Sequence, residues 1–263
     1  MHEFAFVFAG FVVGLVVGLT GVGGGSLMTP ILIFVFGVKP HLAIGTDLLF
    51  AAFTKMGGTI SLGRARIVDW RIVGQLAAGS LPASLITLFV LRRLGPTNPA
   101  TQTIMTTTLG LALLLTAAAT FYKVLRGKAV PVYIPPERLG QATQARHWVQ
   151  PVLFGAVIGT LVTISSVGAG AIGVIVLMML YPALPLPRIV AADIAHAVPL
   201  TLVAGLGHAS IGSVDWPLLL KLLAGSLPGI WLGSQLMRRT PDRVIRSLLS
   251  GLLAYAGVKL ISI

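Results

Sequence analysis

Apolar residues run almost unbroken from Phe4 to Val17 and again from Leu27 to Val38, with the glycine-rich stretch Gly18-Leu19-Thr20-Gly21-Val22-Gly23-Gly24-Gly25-Ser26 between them. Glycine interrupts an apolar run where backbone must leave the helix or be approached closely. With flanks this apolar the break is expected at membrane depth, where non-helical backbone persists only if it is buried in protein or lines an aqueous cavity. The second run is too short for the roughly 20 residues of a span, so the pattern predicts a re-entrant hairpin or a pair of half-helices. Full spans follow over Leu42 to Leu62, over Ile72 to Leu91 (interrupted by Gly79-Ser80-Leu81-Pro82) and over Thr101 to Val124. Arg64, Arg66, Asp69 and Arg71 mark a membrane surface between the first two of these.

The pattern then starts again. At an offset of 145, Val22-Gly23-x-Gly25 meets Val167-Gly168-x-Gly170; one inserted residue later, Asp47 meets Asp193, Val68-Asp69-Trp70 meets Val214-Asp215-Trp216, Gly79-Ser80-Leu81-Pro82 meets Gly225-Ser226-Leu227-Pro228, and Arg92-Arg93 meets Arg238-Arg239. Agreement at this many points in one register reads as a tandem duplication. The expected organisation is a transmembrane repeat at 1–125, a polar cytoplasmic linker at 126–148 and a second repeat at 149–263.

Loop charge bears on how the repeats are oriented. If each broken segment crosses the membrane once, loop Lys and Arg divide nine to eight between the sides. If it folds back, the division is thirteen to four: Arg64, Arg66, Arg71, the linker cations with Lys123 and Arg126, Arg188 and the Arg238 to Arg246 loop lie against Lys39, Arg92, Arg93 and Lys259. The second division favours an all-α polytopic membrane protein of two inverted repeats, about five segments each (four full spans plus the broken Gly-rich one), with both termini outside. Two breaks entering from opposite faces then bring their tips together near the midplane, where such folds keep their substrate.

Composition settles the class. The 263 residues are 56% hydrophobic and 10% charged, against about 25% charged in soluble domains. The net charge of +12 lies in short loops between apolar spans, which fits cytoplasmic loops and a field that draws in anions and argues against nucleic acid. Without cysteine there are no disulfides or thiolate metal sites. No cleavable leader is expected after Met1-His2-Glu3, and no Walker-type phosphate loop is present, so ATP hydrolysis is not expected.

Ionisable residues inside spans are costly and are functional candidates by default. Lys55, about two turns inside its span, reads as a cation at an anion site, or else as a partner of Asp47 or a side chain that reaches a headgroup. Asp47 and Asp193 occupy matching places early in their helices and, with His196 three residues beyond Asp193, are candidates for gating or proton coupling; helix capping or an ion pair is the alternative for the aspartates. A metal site is not expected, since Asp193-x-x-His196 stands without a second such pair. The backbone N–H groups of Gly23, Gly24 and Gly25, with Gly168 and Gly170, would point positive helix ends at the meeting point. The hydroxyls of Thr20, Ser26, Thr46, Ser165 and Ser166 would either join them as donors to an oxyanion or cap freed backbone groups.

The Gly-rich break, the run Ala43-Ile44-Gly45-Thr46-Asp47, the stretch Ala192-Asp193-Ile194-Ala195-His196-Ala197-Val198-Pro199-Leu200-Thr201, and Ala204-Gly205-Leu206-Gly207-His208 followed by Gly225-Ser226-Leu227-Pro228-Gly229 resemble the TauE/SafE family of membrane permeases. The similarity covers the chain outside the linker; the second break, Ser-Ser-Val-Gly-Ala-Gly, is degenerate against Thr-Gly-Val-Gly-Gly-Gly. The resemblance implies a transporter, usually an exporter, of sulfite or related organosulfur anions in the cytoplasmic membrane of a prokaryote. It carries no cofactor, and a homo-oligomer is compatible with it. Two other classes stay open: a non-transporting membrane subunit that docks a soluble partner through the linker, and an intramembrane enzyme using Ser165 or Ser166 with His196. The second lacks a Gly-x-Ser-x-Gly turn.

Overall fold

The computed structural model describes residues 2–20, 25–126, 148–168, 170–236 and 242–262. Ten helices make up these residues: α1 (His2–Thr20), α2 (Gly25–Phe34), α3 (Pro40–Arg64), α4 (Trp70–Leu94), α5 (Pro99–Arg126), α6 (Val149–Ser165), α7 (Ala171–Leu180), α8 (Leu186–Ser210), α9 (Trp216–Leu236) and α10 (Asp242–Ile261). Residues 127–147, on which nearly all of the expected linker falls, lie outside the described residues.

Among the described residues four helices are long and apolar enough to cross a membrane, over Trp70–Leu94, Pro99–Tyr122, Leu186–Ser210 and Trp216–Gly233, and shorter apolar helices cover Phe4–Leu19, Val149–Ser165 and Leu249–Ile261. Helix α3 is long enough, at about 1.5 Å per residue, but Asp47, Lys55 and its Gly and Thr residues dilute its apolarity. The reason it tolerates them is position. Residues 43–52 are buried all round, so this half of α3 faces protein rather than lipid. Its apolar side chains Ile44 and Leu48 pack with Leu91, Met105, Ile158, Val162, Leu200 and Ala204.

The repeated motifs have separate structural jobs. Asp69 caps α4, accepting from the backbone N–H groups of Arg71 and Ile72, and its counterpart Asp215 accepts from Leu218 N–H at 3.0 Å; each leaves an exposed Trp beside it. The Gly-Ser-Leu-Pro motifs set the packing. Helices α1 and α9 lie so close that a Cβ on Gly225 would stand 1.9 Å from the Val7 carbonyl oxygen and one on Gly14 would stand 2.4 Å from that of Ser226. Helices α4 and α6 repeat this with the same spacings, Gly79 against Val152 at 1.9 Å and Gly159 against Ser80 at 2.4 Å. Small residues let backbones meet in this way where lipid offers no hydrophobic drive between helices. Each repeat thus lays its first helix along the fourth helix of the other, and in both pairs the two helices run in the same direction.

Counterpart helices also meet directly. Gly45 of α3 abuts Ser213 and His208, Gly205 of α8 abuts Leu49, and Gly58 faces Ile194, so α3 and α8 run antiparallel. Gly110 of α5 abuts Gly257 and Ile261, while Gly257 abuts Gly110 and Leu114, so α5 and α10 do the same. At the second break the backbone turns sharply: Ser166 (φ +60°), Gly168 (φ +137°) and Gly170 (φ +124°) lie in the left-handed region, where glycine alone is free of penalty. The first break ends α1 at Thr20 and opens α2 at Gly25.

Candidate functional site

The buried first half of α3 carries Asp47, fully shielded from solvent. Two hydroxyls converge on its Oδ2: Thr29 of α2 donates at 2.5 Å and Ser166, at the second break, donates at 2.9 Å. The segments that follow and form the two Gly-rich breaks therefore meet at one carboxylate oxygen. The other oxygen, Oδ1, is buried without a hydrogen-bond partner among the described residues.

Two turns along α3, Lys55 is buried in turn and within electrostatic reach of both Asp193 and Asp47. Asp193 holds the corresponding repeat position on α8, against α7; a Cβ on Gly173 would stand 2.0 Å from its Oδ1, so the missing side chain is what admits the carboxylate. His196, one turn further, lies with Nε2 2.8 Å from Ser80 Oγ of α4 and within electrostatic reach of Lys55. The sequence-predicted Lys55, Asp47, Asp193, His196 and Ser166 are thus brought into one buried polar tract across α3 and α8.

Other predicted residues take backbone roles or lie outside it. Ser165 shares its one hydroxyl hydrogen between the carbonyls of Leu161 at 2.7 Å and Val167 at 3.0 Å, and Thr46 accepts from the Asp215 N–H at 3.0 Å. Gly168 and Gly170 shape the turn before α7. Thr20 closes α1, Gly25 and Ser26 open α2, and Gly23 and Gly24 fall outside the described residues. His208 donates from Nε2 to the Thr163 carbonyl at 2.9 Å, since a carbonyl can only accept.

Two residues of the tract escape sequence reading. Thr29 lies within an apolar helix just before Pro30, and the second repeat has Val174 at its place. Ser80 sits in the repeated Gly-Ser-Leu-Pro motif, where only the duplication singles it out. Its counterpart Ser226 merely returns a hydrogen bond to Leu223 of its own helix at 3.3 Å, because Phe50 stands at the place of His196. Ser80→Ala, which strips a buried imidazole of its partner, is therefore expected to cost about 1–3 kcal/mol, and Ser226→Ala much less. Thermal unfolding followed by tryptophan fluorescence in detergent checks the difference; equal shifts for the two variants would count against it.

The chain matches the family model for sulfite exporter TauE/SafE over residues 6–260. It belongs to the TauE/SafE family. Relatives include the probable membrane transporter protein YjnA of Bacillus subtilis, 34% identical over 255 residues that cover 97% of this chain and 98% of the relative. YdhB of the same organism, also named a probable membrane transporter protein, is 27% identical over 95% of this chain and 97% of its own. The archaeal MJ0441 of Methanocaldococcus jannaschii, with the same description, is 24% identical over 96% and 92%. No solved structure is a significant match. This TauE/SafE chain is a multi-pass membrane protein of a transporter family and not an enzyme.

Proposed function

We propose that the protein is a secondary transporter that exports sulfite, or a related small organosulfur oxyanion, across the cytoplasmic membrane of a prokaryotic cell. Two inverted repeats, 1–125 and 149–263, carry it by alternating access, with both termini outside and the 126–148 linker in the cytoplasm. The observation that carries the reading is the convergence of Thr29 and Ser166, one from each half, on a buried carboxylate in the α3–α8 pair. Inversion is supported by the antiparallel course of counterpart helices α3 and α8, and of α5 and α10, and by the thirteen-to-four division of loop cations. The substrate class is supported by the family description and by the chemistry of the tract. A small oxyanion has acceptors on every side, so it calls for hydroxyls, N–H groups and a cation rather than a shaped apolar pocket.

Thr20, Gly23, Gly24, Gly25, Ser26, Ser166, Gly168 and Gly170 supply the donors of the two breaks in this reading, Thr29 joins them, and Lys55 supplies the charge. Because glycine–carbonyl contacts tie α1 to α9 and α4 to α6, the bodies that rock past each other each combine helices of both repeats. A negative interior drives an anion outward at about 2.3 kcal/mol per charge per 100 mV.

Labelled sulfite efflux from proteoliposomes under an imposed potential tests the reading, with sulfate, thiosulfate and a sulfonate as competitors. Efflux that quickens when the lumen is made negative is the expected result. Absence of flux for all four anions with folded protein defeats the transporter reading; flux of a sulfonate or thiosulfate without sulfite corrects the substrate alone.

A further inference from the structure

Building on the oxyanion-transport reading above, we propose that Asp47 is a built-in competitor for the substrate's hydroxyl donors, and that one proton enters on Asp47 with each oxyanion bound. A hydroxyl has one hydrogen to give. In the structure Thr29 and Ser166 both give theirs to Asp47 Oδ2, so while the carboxylate holds them neither is left for a bound anion. Hydrogen bonds to a charged acceptor are roughly twice as strong as neutral ones, so protonation loosens both. The proton has a place to go: Oδ1 is the oxygen without a hydrogen-bond partner among the described residues. Once there it is itself a donor. Protonation thereby turns an acceptor guarded by two hydroxyls into a set of three O–H groups that suits an oxyanion.

Charge points the same way. On the described part of the tract one cation, Lys55, stands against the carboxyls of Asp47 and Asp193, so an added anion makes a third negative charge unless a proton comes with it. Among the titratable groups on the helices packed against this part of α3, Lys55 on α3 itself acts on the Asp47 carboxylate; His41 and Arg64 share α3, Arg188, Asp193, His196 and His208 lie on α8, and Asp215 and Lys221 lie at and on α9. Helices α2 and α6 contribute no titratable side chain, and those of α5 (Tyr122, Lys123 and Arg126) lie in its last two turns while Met105 packs near Leu48. Asp47 accepts from one hydroxyl of each half, Thr29 and Ser166.

Calorimetric titration of the purified full-length protein with thiosulfate, in buffers of equal pH and different ionisation enthalpy, counts the proton. Thiosulfate stays fully ionised around neutrality, so any uptake belongs to the protein. Expected are uptake of about one proton per anion and an affinity that falls about tenfold per pH unit above the titration of the site. Asp47→Asn is expected to bind with no uptake and a flat pH profile. Should that variant fail to fold, Ser166→Ala serves, with affinity lowered about fivefold, as for one lost hydrogen bond, and uptake kept. Thiosulfate binding by the wild type without uptake overturns the proposal, as does uptake retained in Asp47→Asn. Failure of the wild type to bind thiosulfate, sulfite or methanesulfonate removes the oxyanion reading itself, and this proposal with it.

Discussion

Lys55→Ala is expected to lower sulfite flux in proteoliposomes by at least about a hundredfold, or ~2.8 kcal/mol at 1.4 kcal/mol per tenfold. The lysine is buried and reaches both aspartates, so its removal takes away the tract's positive charge and leaves the carboxylates to repel an incoming anion. Loss of flux alone does not separate chemistry from folding, because removing a buried cation leaves the buried carboxylates within its electrostatic reach less compensated. Lys55→Met combined with Asp193→Asn removes both charges at similar volume. The pair is expected to restore thermal stability to near the wild-type value while flux stays lost. Flux within about threefold of wild type in either variant, judged on the same free-energy scale, would remove Lys55 from the substrate site.

The second large effect concerns helix contact. Gly79→Val and Gly225→Val each place a branched side chain where even a Cβ would stand 1.9 Å from a carbonyl oxygen of the facing helix. Backbone on both sides cannot rotate away as a side chain can, so the helices must separate along their length. The cost is expected above the roughly 1–3 kcal/mol of ordinary overpacking, enough to prevent accumulation of folded protein. Gly74→Ala is the control on the same helix: nothing lies within 4 Å of its Cβ position, and alanine favours the helix by up to about 1 kcal/mol. Size-exclusion profiles and melting temperatures in detergent read all three. A Gly79→Val protein that melts with the wild type would show that α4 and α6 do not meet as described.

Much of this frame was legible in the residues. The Gly-rich breaks fall where α1 gives way to α2 and α6 to α7, because glycines clustered in an apolar run disfavour a continuous helix. The 145 and 146 offsets reappear as matched close contacts, Gly10 with Leu222 and Gly155 with Leu76, each at 2.3 Å; packing glycines are under the same constraint in both halves. Polar pairings were far less legible. Thr29 finds Asp47 eighteen residues away and Ser80 finds His196 across 116, while the duplicated copies hold Val174 and Phe50 at the corresponding places. A repeat comparison therefore hides the residues by which the halves differ. The apolar run Leu27 to Val38 also outlasts its helix, since α2 stops at Phe34 and Gly37 turns with φ +64° before Pro40.

The crosswise placement of first and fourth helices bears on biosynthesis. As the chain leaves the ribosome, α4 enters the bilayer without its partner α6, and α1 must wait until α9, near the end of translation, before its glycine face is covered. A five-helix half released alone leaves both faces bare.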